Sequence, residues 1–400
     1  MTGKYGLILK NGRVVCPAQG LNGVMDVAFA DGKVAAVGAN LTTPATEVVD
    51  VSGHVVTPGL IDMHTHVYWG ATSMSLDPLE MAYLSGVTTM VDAGTAGPGN
   101  FLGFRHFVIE PSPVRIIPFL NIAFPGIFAY SKAVMVGECG DIRLLDPKEC
   151  VRVILENRDM IAGLKVRVGR IAGGNSGIIP LDLTLAAAEE TGLPVMSHLD
   201  DPPPTRKEVL DRLRPGDILT HCFKPFPNAP IRSDGEIFEE VKLARDRGVY
   251  FDIGHGAFSF GIRVARSMLE QGFAPDIISS DVHALNRNGP VFDQMATLSK
   301  FYCLGMSLSD VIKASSTTPA AALRRPDLGT LKPGSHGEAT IFKIEEGSFE
   351  YKDALSETLD GKYRFRCKGL VMKGRYGAAP ATAEELPRMF DRRIARCNCC

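Results

Sequence analysis

The chain has 400 residues, 45% apolar and 22% charged, which is enough apolar material to bury a large core. A formal net charge of -2 excludes a nucleic-acid or membrane-surface role that rests on bulk charge. No basic stretch followed by an apolar run opens the chain and no run approaches a membrane span, so a cytoplasmic location with neither nucleic acid nor membrane as partner is the expectation.

Residues 1–57 read as short strands broken by turns, with Asn11-Gly12 and Asp31-Gly32 as hairpin signals between apolar flanks. Cys16, Cys139, Cys150, Cys222, Cys303 and Cys367 are scattered without disulfide or zinc-finger spacing, which suits a reducing compartment. After Pro58 the rhythm changes. Eight strand-like runs follow: "GLIDMHTH", "GVTTMVDAG", "VRIIPFLNIA", "AGLKVRVG", "LPVMSHLD", "DILTHCF", "GVYFDIGHG" and "DIISSDVH". Helical stretches separate most of them. One spans Pro147 to Met160 behind an Asp146 cap, and another starts near Ser233 in a capping box with Glu236. Strands alternating with helices predict a parallel sheet, and eight units over residues 58–319 predict a (β/α)8 TIM barrel. The segment between the third strand and its helix, "FPGIFAYSKAVMVGECGDIRLLD", is long enough to act as a lid. The β pattern returns from Thr330, so residues 1–57 and 320–380 are expected to form one small β-sandwich domain from both chain ends. Residues 381–400 read as a tail that ends in Cys397, Cys399 and Cys400, to which no role is assigned.

Catalytic groups of such barrels sit at the C-terminal ends of the strands. Those ends carry His64 and His66, Lys165, His198, His221, His255, and Asp281 with His283. In a strand, residues two apart share a face, so an HxH pair can grip one ion. Five of the nine histidines and an aspartate at the ends of strands 1, 5, 6 and 8 point to a metal site, with zinc the first expectation. Four histidines and one aspartate are few ligands for two ions, and a lysine ammonium has no lone pair to add.

"PGLIDMHTH", the lysine of "GLKVRVG", "MSHLD", "LTHCF" and "SSDVH" together resemble the amidohydrolase superfamily in its binuclear subtype. The resemblance implies that Lys165 is an N6-carboxylysine whose carbamate bridges two divalent metal ions. It gives His64, His66 and Asp281 to one ion and His198 and His221 to the other. It implies a hydroxide shared by the metals that attacks a carbonyl carbon, with Asp281 as general base and then acid. "MHTHVYWG", "GLKVRVG" and "SSDVHALN" are most similar to a bacterial dihydroorotase-like subgroup, which implies a deacetylase of O-acetyl 2-hydroxy acids or N-acetyl amino acids. Dihydroorotases carry an arginine just beyond the HxH, where this chain has Tyr68. A cyclic amide hydrolase and a catalytically silent scaffold are the alternatives.

For a small-molecule substrate, Arg167 shares a face with Lys165 and could bind a carboxylate, or else pair with an acidic neighbour. His283 shares a face with Asp281 and could touch the substrate. His255 could do the same or hold a loop, and Tyr68 could line an apolar wall. A homo-oligomer is left open.

Overall fold

The computed structural model describes residues 4–382 and 384–389. The Cys-rich end of the tail lies outside them. Strands β1 (Tyr5–Cys16), β2 (Leu21–Ala30), β3 (Lys33–Gly38), β4 (Ala45–Asp50) and β5 (Val55–Pro58) form most of one sheet. The barrel follows as β6 (Leu60–Thr65), β7 (Val87–Ala93) and β8 (Arg115–Asn121), then, past a short hairpin of β9 (Ala129–Tyr130) and β10 (Met135–Val136), β11 (Gly163–Val168), β12 (Val195–Leu199), β13 (Ile218–Leu219) and β14 (Tyr250–Phe251). The chain returns to the first sheet with β15 (Ala339–Lys352), β16 (Thr358–Met372) and β17 (Arg375–Ala378).

That first sheet has eight strands in the order β17-β16-β15-β5-β1-β2-β3, with β4 pairing β1. Both chain ends thus share it through the β15–β5 ladder. It buries its own core, including Leu7, Leu9, Val27, Phe29, Val56, Ile341 and Val371. The two Gly-containing turn signals behave differently. Asp31-Gly32 makes the expected two-residue turn, with Ala30 paired to Lys33 and φ of 52° and 71° at the turn residues. Asn11-Gly12 makes none: β1 runs straight through it with a register shift, and Asn11 adopts φ 63° as a bulge. Buried Asp26 holds that bulge by accepting from Asn11 N, Leu41 N and Lys10 Nζ.

The barrel sheet is parallel throughout, in the order β14-β13-β12-β11-β8-β7-β6. β6, β7 and β11 are buried along their whole length, as strands covered on both faces must be. Leu164 and Val166 point outward under the helices, while Ile61, Met63, Val91, Ile117, Phe119 and Met196 fill the interior. The eighth run, "DIISSDVH", forms no regular strand. Single parallel bridges, Asp252 to Ile277 and Thr65 to Val282, join it to either edge and close the ring. The helix from Pro147 starts as expected, with Asp146 accepting from Lys148 N and Glu149 N, and ends at Glu156. The capping box at Ser233 does not form. Asp234 accepts from Glu236 N in a turn instead, and the helix there begins at Glu239. No helix among the described residues is long and apolar enough to cross a membrane.

Candidate metal centre

β6 carries one extra residue relative to β7 between Asp62 and Thr65. A bulge of this kind reverses the facing of every later side chain. Ile61 and Met63 therefore fill the barrel floor while His64 and His66 turn into the cavity above them. Strict alternation would have set these two pairs on opposite faces. From β11, Lys165 and Arg167 enter the same cavity, and His198, His221, Asp281 and His283 join from the ends of β12, β13 and the eighth segment. The cavity is small, about 30 Å³. His221 and Asp281 reach it with left-handed backbone, φ 64° and 49°, a region histidine and aspartate tolerate better than most residues.

The distances are those of a ligand cluster. Asp281 Oδ1 lies 3.1 Å from His66 Nε2 and 3.4 Å from His64 Nε2, and one ligand atom from each of these residues falls within 4.8 Å of the others. Lys165 Nζ is 3.2 Å from His64 Nε2 and 3.5 Å from Met196 Sδ. The rings of His198 and His221 have centroids 4.6 Å apart, and His221 lies 5.2 Å from His64.

Hydrogen bonds fix which nitrogen each ring offers. Thr220 Oγ1 donates its one proton to Asp252 Oδ2 at 2.6 Å, so it must accept from His64 Nδ1 at 2.9 Å. His221 Nδ1 donates to the Gly254 carbonyl at 2.6 Å. Both rings thus carry their proton on Nδ1 and turn an Nε2 lone pair inward, the form a metal requires. His66 Nδ1 meets Thr95 Oγ1 at 2.8 Å, and His198 Nε2 meets Asp200 Oδ2 at 3.4 Å. His283 is the opposite case. Its Nδ1 accepts from Leu285 N at 3.2 Å, so its neutral ring carries the proton on Nε2.

Burial sets the electrostatics. It holds His64, His198 and His221 well below the usual histidine range, and lowers His66 to about 3 and His283 to about 4. Burial also lowers Lys165 to about 7 and raises Asp281 to about 6. The donor set fits divalent metal: inward lone pairs with a carboxylate at the first group, and two imidazoles at the second. Among the described residues no third His, Cys, Asp or Glu clusters with both His198 and His221: Asp200 meets only His198, and Lys165 lines the cavity beside them.

A model of the amidohydrolase family matches residues 55–375. The chain belongs to the amidohydrolase family. It is accordingly a hydrolytic enzyme, on the (β/α)8 barrel described above. A deacetylase of Agrobacterium fabrum is 37% identical over 359 residues, covering 90% of this chain and 87% of that protein. A solved structure described as an adenine deaminase superposes with a TM-score of 0.87 at 30% identity, covering 94% of this chain and all of the other. One described as a dihydroorotase gives 0.86 at 34%, covering 93% and 99%. Similar amidohydrolase frames thus carry three different activity names.

Two residues that the sequence suggested for substrate contact are not brought to the cavity. Tyr68 is buried against Phe104 and donates from its hydroxyl to Asn100 O at 3.0 Å. His255 is fully buried, with Nδ1 on Gly256 O at 2.9 Å and Nε2 accepting from Lys300 Nζ at 2.7 Å. Both of its ring nitrogens are spent on holding chain segments. Arg167 lines the cavity and pairs with buried Glu138 at 3.2 Å, the acidic neighbour of its second reading. Sequence reasoning missed Thr95, Thr220, Asp252 and Gly254, which orient the histidines. Two of them, Asp252 and Gly254, lie in the stretch "DIGHG", which stood out for its histidine instead.

Proposed function

We propose that this amidohydrolase is a binuclear metal-dependent deacetylase, cleaving the acetyl ester of a small 2-hydroxy acid or the acetyl amide of an amino acid. His64, His66 and Asp281 would hold one ion, His198 and His221 the other, and Lys165, carboxylated by carbon dioxide, would serve both. Zinc suits this mixture of nitrogen and oxygen donors. The observation that carries the reading is the fixed ring orientation at His64 and His221, which directs lone pairs rather than protons into a cavity shared with Lys165. Bound there, two divalent ions would acidify a water and polarise the substrate carbonyl.

The chain's own groups would do the rest. Asp281 lies within reach of both histidines of the first group and would take the proton of the attacking water as its oxygen bonds to the carbonyl carbon. It would then return that proton to the leaving oxygen or nitrogen as the bond to the acetyl carbon breaks. Lys165 is fully buried among a histidine, a thioether and the cavity, with no hydrogen-bonded carboxylate among its described partners. Capture of carbon dioxide would replace that cation with an anion able to ligate.

The deacetylase relative supports acetyl transfer to water, and Tyr68 in place of an arginine speaks against dihydroorotate. The test is metal content per chain, on protein purified with bicarbonate and divalent metal, for the parent and Lys165→Ala. Two ions in the parent, falling in the variant together with acetyl-ester hydrolysis, is the expected result. One ion or none in the parent would overturn the binuclear reading, and turnover of dihydroorotate in preference to acetyl compounds would move the substrate class to cyclic amides.

A further inference from the structure

Tyr130 lies on β9 of the short hairpin after the third barrel strand, and its ring roofs the cavity. It touches two donors. The Arg167 guanidinium carbon is 5.3 Å from the ring centroid, and the His283 ring meets it edge-on at 5.3 Å. Only one bond from the Arg167 side chain to protein is made among the described residues, Nη1 to Glu138 Oε2. A guanidinium has five N–H donors, so most of its edge is unspent. His283 Nε2 carries the ring proton because Nδ1 accepts from Leu285 N, and among the described residues it likewise meets no protein acceptor. Neither atom is among the fully enclosed unpartnered polar atoms, so both reach the cavity space. Glu138 is fully buried and is approached by Asn121 Nδ2 at 3.4 Å, which keeps the guanidinium plane from swinging away.

We propose that Arg167 and His283 are a two-donor clamp for a substrate carboxylate, with the Tyr130 ring packed beside both donors. The inference rests on the deacetylase reading and names the residues that would read the acid group beside the bond that is cut. A carboxylate offers two oxygens, and two fixed donors from different strand ends satisfy both while setting the direction in which the acetyl group projects.

The experiment compares the acetate ester of lactate with the methyl ester of that compound, for both enantiomers, in the parent, Arg167→Met, His283→Phe and His283→Gln. The parent is expected to favour the acid by about 100-fold or more in kcat/KM. Arg167→Met and His283→Phe should each cut that preference roughly tenfold, mainly through KM, with metal content unchanged. His283→Gln keeps an N–H donor and should recover part of it. A parent indifferent to the acid group, or a preference that survives both substitutions, would overturn the clamp. If no acetyl compound is turned over, the deacetylase reading fails. The clamp is then judged by calorimetry with lactate against lactamide. Lactate binding that depends on Arg167 and His283 upholds it, and equal binding in parent and variants overturns it.

Discussion

A threonine hydroxyl has one proton, and that of Thr220 goes to Asp252, leaving only an acceptor for His64. Thr220→Val should therefore weaken metal binding by about 10- to 100-fold without disturbing the barrel, as loss of a ligand's outer hydrogen bond commonly does. Competition with a chromogenic chelator measures it, and unchanged affinity would show that the hydroxyl does not set the ring. Gly254 makes a sharper case. It has φ 43°, and a Cβ there would lie 2.3 Å from Thr220 Oγ1 and 2.9 Å from both His64 Nδ1 and His221 Nδ1. Gly254→Ala should cost metal at both histidines at once, seen as lower metal content in a chain whose far-ultraviolet circular dichroism is unchanged. The histidines, Lys165, Arg167 and Asp281 that meet in the cavity were legible because strand ends are few and histidines there stand out, whereas Met74, Ile127 and Tyr130, which also line it, were not. Thr220 and Gly254 were not, because a hydroxyl or a missing Cβ behind a ligand has no spacing of its own. His255 misled for the converse reason: a histidine at a strand end looks the same in sequence whether its ring turns to the cavity or to Lys300.

At the level of the element, the legible features were those fixed by local chemistry. Asp31-Gly32 and Asp146-Pro147 formed the turn and the helix start that their residues favour. Asn11-Gly12 and Ser233 lost to longer-range partners, the first to β4 and β5 beside β1, the second to the Ile231–Ile237 bridge. Asp26 shows how the bulge at Asn11 is held. Burial alone would raise its carboxyl, but the Lys10 ammonium and two backbone donors outweigh that and keep it below the usual aspartate value. A lowered folded value means that the stabilisation is present above the unfolded pKa, about 3.9, and is lost as pH falls through the folded one. Asp26→Asn should cost about 2 kcal/mol at neutral pH, the scale of hydrogen bonds to a charged group. Thermal melts between pH 6 and about 2.5 would show the parent's excess stability over the variant shrinking toward the acid end. A difference that stays constant with pH would remove the charge from the explanation.

On the scale of the whole molecule, the cavity joins side chains from β6, β11, β12, β13 and the eighth segment, so anything that binds all of them links distant parts of the chain. Metal that binds only the folded chain adds about 4 kcal/mol at a thousandfold excess over its Kd. Treatment with a strong chelator should therefore lower Tm by several degrees, recoverable by metal and not by salt, in differential scanning calorimetry. An unchanged Tm would mean that these ligands hold no ion in the native state. The eighth segment gives this linkage a particular direction. Seven strands are bound to their neighbours by ladders. The eighth segment is held on the β14 side by Ile277 N to Phe251 O, Ile253 N to Ile277 O, His255 N to Ser279 O and Gly256 N to Ser280 O, and on the β6 side, among the described residues, by Asp281 N to His64 O with Asp62 accepting from Ser280 N. A barrel opens most cheaply at its least-bonded join, here the β6 side of the eighth segment, and there the amides of Ser280 and Asp281 would trade hydrogen for deuterium ahead of those in β7 or β11. An ion gripped by His64 and His66 on one side of the join and Asp281 on the other would then work as a clasp. Loading it should slow that exchange at the join far more than anywhere else in the wall, making an enzyme's cofactor also the last stitch that closes its fold.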